Sequence, residues 1–247
     1  MEHMIVTFFI FTREGVSSYK GSSHEYLVLE NLTLDFQKPC VLDLKMGTRM
    51  YGDFATEAKR KSQRKKSKKS TSGNLGIRFC GSQRFSLTNN SFEMFDKYIG
   101  RRADQTQLKN LLEKFFTNGG VLRKDVIKNV LEKVCELKKS LLDLDEYRFY
   151  SSSLLIIYEG LLEMSPADFS GTENSMDCEN FMEMESSGFE EVKVKESNST
   201  VKMKMIDFAN VSFPSLHRDQ VMHEGPDRGF MMGLDSLYEI LESLLEE

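Results

Sequence analysis

The chain has 247 residues, 40% of them hydrophobic and 29% charged, and a formal net charge of −5. That length can hold one sizeable domain or two lobes around a shared cleft, and the composition is that of an ordinary globular protein. No apolar run is long enough to span a bilayer, and four scattered cysteines without C-x-x-C spacing argue against structural zinc and for a reduced, intracellular setting.

Taken in order, residues 4–11 and 26–32 read as two strands joined by a polar connection, Arg13 to Glu25. The first lacks the cationic start and cleavage site of a signal peptide. Next comes Pro39-Cys40-Val41-Leu42-Asp43-Leu44-Lys45-Met46-Gly47. In a strand, residues two apart share a face, so Asp43 and Lys45 project into one space. Such a pair suits a polar ligand, a phosphate above all, but it also suits an exposed ion pair on an edge strand.

Between Lys59 and Lys69, eight of eleven residues are Lys or Arg and none is acidic. The stretch 55–69 reads as a helix, with Lys59, Gln63 and Lys66 on one face and Lys61, Lys65 and Lys68 on another. Three readings stand together: a solvated face, a nuclear-localisation or nucleic-acid patch, and a clamp for a polyanionic small molecule. Aromatic residues for base stacking are not interleaved, and the rest of the chain is acidic, which counts against nucleic acid.

Ser70 to Gly73 reads as a flexible turn, and Leu75 to Leu87 as a strand that carries Arg78. Gln105 to Asn118 forms an amphipathic helix, with Leu108, Leu111, Leu112, Phe115 and Phe116 inward and Gly119-Gly120 stopping it. A second helix, Lys124 to Leu142, turns Ile127, Val130, Leu131, Val134, Leu137 and Leu141 inward. Arg148 to Tyr158 reads as a strand with a triple serine in it, able to contact a phosphate or to cap a turn. From 164 to 200 the chain is rich in Ser, Glu, Met and Asn, and reads as a mobile acidic insert. Val201 to Ile206 alternates as a strand and delivers Asp207, and a final helix, Gly233 to Glu246, buries Leu237, Ile240, Leu241 and Leu244.

Pro39, Asp43, Lys45 and Gly47 fit the P-x-x-x-D-x-K-x-G signature of the inositol polyphosphate kinase family. Pro39 to Arg49, Tyr147 to Gly160, Met205-Ile-Asp-Phe-Ala209 and His223-Glu-Gly-Pro-Asp-Arg-Gly229 resemble the family in the same order, and most of all its inositol hexakisphosphate kinase branch. The resemblance implies an α+β, protein-kinase-like two-lobed fold. Residues 1–31 would form a partial N-terminal lobe and hinge, and 32–247 the catalytic lobe, with 55–72 as the inositol-phosphate-binding helical segment. It further implies an enzyme using ATP and magnesium, with inositol hexakisphosphate as substrate. A kinase for less phosphorylated inositols and a non-catalytic inositol-phosphate sensor are the alternatives. A cytoplasmic or nuclear location goes with this reading.

The roles carried over by resemblance are specific. Glu30 and Leu32 would offer hinge backbone groups to adenine, Asp43 would hold the ribose, and Ser153 would contact the nucleotide. Asp207 would hold magnesium. Lys45 would sit between the γ-phosphate and the acceptor, with Arg49, Lys59, Lys65, Lys66 and Arg78 on substrate phosphates. Two departures stand out. Only 29 residues precede Glu30, with Lys20 the sole lysine among them, so a shortened upper lobe with weakened ATP binding is expected. Asn210 stands where the family often has a histidine, and an amide cannot carry charge.

Overall fold

The computed structural model describes residues 29–161, 200–213 and 222–246, and the backbone of 11–12 and 27–28. The acidic stretch 164–199 and most of the first expected strand, 4–10, lie outside the described residues.

The architecture follows from one strand, β3 (Pro39–Met46), whose residues alternate between half-exposed and buried. Cys40, Leu42, Leu44 and Met46 are completely buried, which fixes the register and leaves Val41, Asp43 and Lys45 on the opposite face. β3 pairs antiparallel with β4 (Ile77–Ser86) on one side and β9 (Ser153–Glu159) on the other. β5 (Ser91–Phe95) and β10 (Val201–Ile206) complete a five-stranded sheet in the order β10-β9-β3-β4-β5. Short pairs stand apart from it: β1 (Phe11–Thr12) with β2 (Leu27–Val28), β6 (Thr117–Asn118) with β7 (Val121–Leu122), and β8 (Arg148–Phe149) with β11 (Val211–Ser212).

The apolar face of the sheet packs on three helices. α4 (Gln105–Phe116) opens on a capping box made by Asp104 and Gln107, and buries Leu108, Leu112, Phe115 and Phe116. α5 (Lys124–Leu142) spans the residues expected for it and also buries Val126. α6 (Arg228–Glu246) begins earlier than expected, because Asp227 caps it by accepting from the backbone N–H of Phe230 at 3.0 Å. Together these helices and the sheet form one apolar cluster. No described helix is long and apolar enough to cross a membrane.

The sequence patterns are corrected at several points. Among the described residues of the expected strand 26–32, only Leu27–Val28 is paired, and residues 32–35 form a turn entered at Asn31, whose side chain accepts from the Thr33 N–H. Ser72–Leu75 is a short helix, α2, where a flexible turn was expected, and follows α1 (Glu57–Lys68) directly. The expected strand 148–158 is broken between β8 and β9 by Tyr150 to Ser152, with Ser151 in the left-handed region at φ 61°. β5 and α3 (Lys97–Arg102) follow β4 and were not expected from periodicity, since β5 leaves Phe92 and Met94 exposed.

α6 and the α2–β4 turn approach each other closely. A methyl group on Gly233 would lie 2.3 Å from the carbonyl oxygen of Gly76 and 2.9 Å from Met46 Cε. Gly76 itself sits at φ 63°. Gly233→Ala should therefore force α6 away from the strand that carries the site, at about 1–3 kcal/mol. Urea denaturation checks this, and an unchanged midpoint with unchanged slope would refute the close packing.

Candidate active site

The sheet register gathers the polar residues. Lys45 lies directly opposite Arg78 on β4 and Ser153 on β9, and Ser153 lies opposite Ile206, the residue before Asp207. A row across four strands thus brings Lys45, Arg78 and Ser153 to one level, with Asp207 at its end. Lys45 Nζ forms an ion pair with Asp207 Oδ2, and their side chains are 15% and 49% exposed. Asp207 has φ 65°, a left-handed conformation that non-glycine residues adopt sparingly and that clusters at functional positions.

Asp43 stands two residues before Lys45 on the same face. Its Oδ1 is buried without a hydrogen-bond partner, and so is Nε of Arg78. Burial pushes the Asp43 carboxyl above its usual value, although the Ser153 hydroxyl and the charge of Lys45 pull against it. Buried polar atoms are normally paired, so an orphaned acceptor and an orphaned donor on one face fit a polar ligand. Beside Asp43 the register with β4 shifts from Gly81 to Phe79, which leaves Cys80 as the extra residue of a bulge in β4. Next to it lies a cavity of about 420 Å³ lined by Thr33, Pro39, Val41, Asp43, Gly81, Ser82 and Gln83.

Glu30 is exposed, and Leu32 sits in the turn that leads to Thr33 at this cavity. Lys202 of β10 donates to the Leu32 carbonyl at 3.2 Å and pairs with Asp35 at 2.6 Å, which ties the turn to the sheet edge.

Beyond Gly47 the chain runs into the basic helix, and here Arg and Lys part company. Arg49 donates to the Tyr51 carbonyl (3.0 Å), the Tyr150 hydroxyl (2.9 Å) and Asp53 Oδ1 (2.7 Å), and stacks 4.0 Å from the Tyr150 ring. Arg60 donates to the carbonyls of Asp53 and Ala55, Arg64 to the Tyr51 hydroxyl, and Ser67 to the Thr48 carbonyl. Thus the arginines and Ser67 fasten α1 to the body, while Lys59, Lys61, Lys65, Lys66, Lys68 and Lys69 stay exposed. Of the expected substrate contacts, Lys59, Lys65 and Lys66 are free lysines of α1, Arg78 is in the strand row, and Arg49 is engaged as an anchor.

Asp53 and His223 had no expected role, yet they close this network. The Asp53 side chain is 3% exposed, and its Oδ2 lies 2.9 Å from His223 Nε2. Burial alone would raise the Asp53 carboxyl, but the hydrogen bond with His223, the nearby Ser212 hydroxyl and the charge of Arg49 outweigh it and hold it below the usual range. Burial also pushes the Tyr150 hydroxyl up to about 12, against the charge of Arg49, so it stays neutral and accepts from that guanidinium. The only sequence signal was that His223 opens the run to Gly229. Asp227 in the same run holds two backbone N–H groups, of Phe149 (2.8 Å) and Phe230 (3.0 Å).

A model of the inositol polyphosphate kinase family matches residues 26–242. The chain belongs to that family. It is 40% identical over 226 residues to inositol hexakisphosphate kinase 2 of Homo sapiens, covering 92% of this chain and 53% of that one. It is 38% identical over 229 residues to inositol hexakisphosphate kinase 1 of Mus musculus, covering 91% and 52%. The chain spans about half the length of the curated relatives it matches. Among solved structures, it resembles the inositol phosphate multikinase Ipk2 of S. cerevisiae in complex with ADP and Mn2+. The TM-score is 0.64 at 26% identity, over 90% of this chain and 84% of that one. A second inositol phosphate multikinase structure, with a TM-score of 0.65 at 23% identity, shares the fold. The α+β kinase-like fold and the hexakisphosphate kinase branch expected from the motifs both hold.

The anchor network predicts a pH signature. Asp53→Asn should destabilise the chain at pH 7 by about 1–3 kcal/mol, because Arg49 and His223 lose a charged partner. A carboxyl held below its usual value stabilises above that value and loses its effect as pH falls through the folded-state pKa. The gap between wild type and variant should therefore close below about pH 4, and a gap constant with pH in denaturant titrations would contradict the pairing.

Proposed function

We propose that this chain is an ATP-dependent inositol polyphosphate kinase that phosphorylates inositol hexakisphosphate to a diphosphoinositol polyphosphate. The observation that carries this reading is the row of Lys45, Arg78 and Ser153 ending at Asp207, with the free lysines of α1 leading away from the same strand end. The two relatives described above are hexakisphosphate kinases, which supports the substrate class.

The cavity beside Asp43 takes the nucleotide, with the orphaned Asp43 Oδ1 positioned to accept from a ribose hydroxyl. Main-chain groups of Glu30 and Leu32 face adenine. The Leu32 carbonyl is already held by Lys202, which leaves the Leu32 N–H as donor. Magnesium takes oxygen ligands, usually one or two carboxylates with phosphates and water for the rest, and would screen the charge of the triphosphate. Asp207 is the carboxylate in place for it, and no group of three or more His, Cys, Asp or Glu gathers among the described residues.

Phosphoryl transfer asks a protein mainly for positioning and for neutralisation of spread negative charge. In inositol hexakisphosphate every ring hydroxyl is esterified, so the attacking atom is a phosphate oxygen already ionised at neutral pH. No base is needed, and charge repulsion becomes the obstacle. Lys45 neutralises the transferred group, and Arg78, Lys59, Lys65 and Lys66 neutralise the acceptor. A less phosphorylated inositol would present a hydroxyl and need its proton removed, so product analysis separates the two substrates.

Turnover of ATP with inositol hexakisphosphate and magnesium tests the reading. Asp207→Asn and Lys45→Met should each lower kcat by about 10²-fold or more. Lys66→Glu should raise KM for the inositol phosphate and leave KM for ATP unchanged. A wild-type chain that binds the inositol phosphate without turnover would replace the enzyme with a sensor.

A further inference from the structure

Six hydroxyl residues lie in or beside the basic helix; three are hydrogen-bonded and two are buried. Thr56 caps α1 by accepting from the Lys59 N–H at 3.3 Å. Ser67 is buried and donates to the Thr48 carbonyl at 2.7 Å, and Ser70 donates to the Ser67 carbonyl at 3.2 Å. Thr71 and Ser72 are 2% and 0% exposed. Ser62 alone is exposed on the helix with its hydroxyl making no hydrogen bond.

Its surroundings are one-sided. Lys59 precedes Ser62 by one helical turn, and Lys65 and Lys66 follow it by one turn, so their side chains neighbour the Ser62 hydroxyl. Arg60 and Arg64 are engaged by their carbonyl and hydroxyl partners, which leaves lysines as the uncommitted cations around Ser62. Lys59-Arg60-Lys61 also place three basic residues immediately before the serine, the kind of flank that basophilic serine kinases read. α1 buries no apolar side chain, so local opening into a protein kinase's active site breaks polar contacts of Arg60, Arg64 and Ser67 and exposes no apolar core.

We propose that Ser62 is a phosphorylation site through which a basophilic serine kinase closes the lysine surface of α1 to inositol phosphates, a step that rests on the substrate role given to α1 above. The γ-phosphoryl of ATP passes to Ser62 Oγ: the bond to the ADP oxygen breaks, the Oγ–P bond forms, and the hydroxyl proton goes to the protein kinase's base. The product is a phosphate monoester, chemically the same group the helix is set to bind, carrying a charge of about −1.5 to −2. It pairs with Lys59, Lys65 and Lys66 within the helix and occupies them from inside.

The test uses the full chain in three forms: unmodified, with phosphoserine encoded at position 62, and Ser62→Ala. Treatment with a basophilic serine kinase and ATP should phosphorylate the unmodified chain at Ser62, and phosphopeptide mapping should find no such modification in Ser62→Ala. Equilibrium binding of inositol hexakisphosphate should be weakened about tenfold or more in the phosphoserine form at low salt, with ATP binding unchanged and the gap narrowing as salt rises. Failure of the kinase to modify Ser62 overturns the proposal. It is equally overturned if the phosphoserine form binds inositol hexakisphosphate as the unmodified chain does while Lys66→Glu binds it weakly, an outcome that leaves the substrate role of α1 intact. If neither change weakens binding, the substrate role of α1 falls, and the proposal with it.

Discussion

The pairing of β3 between β4 and β9 is the constraint from which the site follows. A strand hydrogen-bonded on both edges cannot slip by one residue without turning Cys40, Leu42, Leu44 and Met46 out of the core. That burial fixes where Asp43 and Lys45 point. The same ladders set Arg78 and Ser153 beside Lys45, and the β9–β10 ladder brings Asp207 to meet it. Three helices supply the apolar pressure from the far side, and close contact between Gly76 and Gly233 lets α6 approach the end of β3.

The second constraint is electrostatic. A helix with so many cations is held together only if some are neutralised or turned away from each other. Here arginine, with its planar fork of donors, does the fastening, and lysine is left as the mobile point charge. Arg49, Arg60 and Arg64 are satisfied by carbonyls, tyrosine hydroxyls and Asp53. Asp53, in turn, joins the helix base to His223 near the start of α6. The helix that carries the lysine face is thus tied to the body by a connected set of bonds.

Much of this was legible in the amino-acid order. The alternation of Pro39 to Met46 has one register that buries its apolar set, and the leucine spacing of α5 gave its limits because both ends of the pattern are polar. The motif runs gave the family. What was not legible has physical reasons. β5 carries exposed Phe92 and Met94, so its pattern has no clean inside and outside. The break at Tyr150 to Ser152 depends on Ser151 taking a left-handed backbone, a choice that tertiary contacts make and local propensity does not. Asp53 and His223 are 170 positions apart, and no spacing rule joins them. Lys and Arg of the basic run look alike in sequence, and only packing shows which are anchors.

On the proposed reading, two ligand sites follow each other along one face of β3, nucleotide at Asp43 and inositol phosphate beyond Lys45 at α1. Equilibrium titration of a non-hydrolysable ATP analogue with magnesium, and separately of inositol hexakisphosphate, against Asp43→Asn and a Lys59→Gln/Lys66→Gln double variant tests this most directly. A crossed pattern is expected, with the first variant losing affinity for the nucleotide alone and the second for the inositol phosphate alone. Equal loss of both ligands in both variants, or no loss in either, would contradict it.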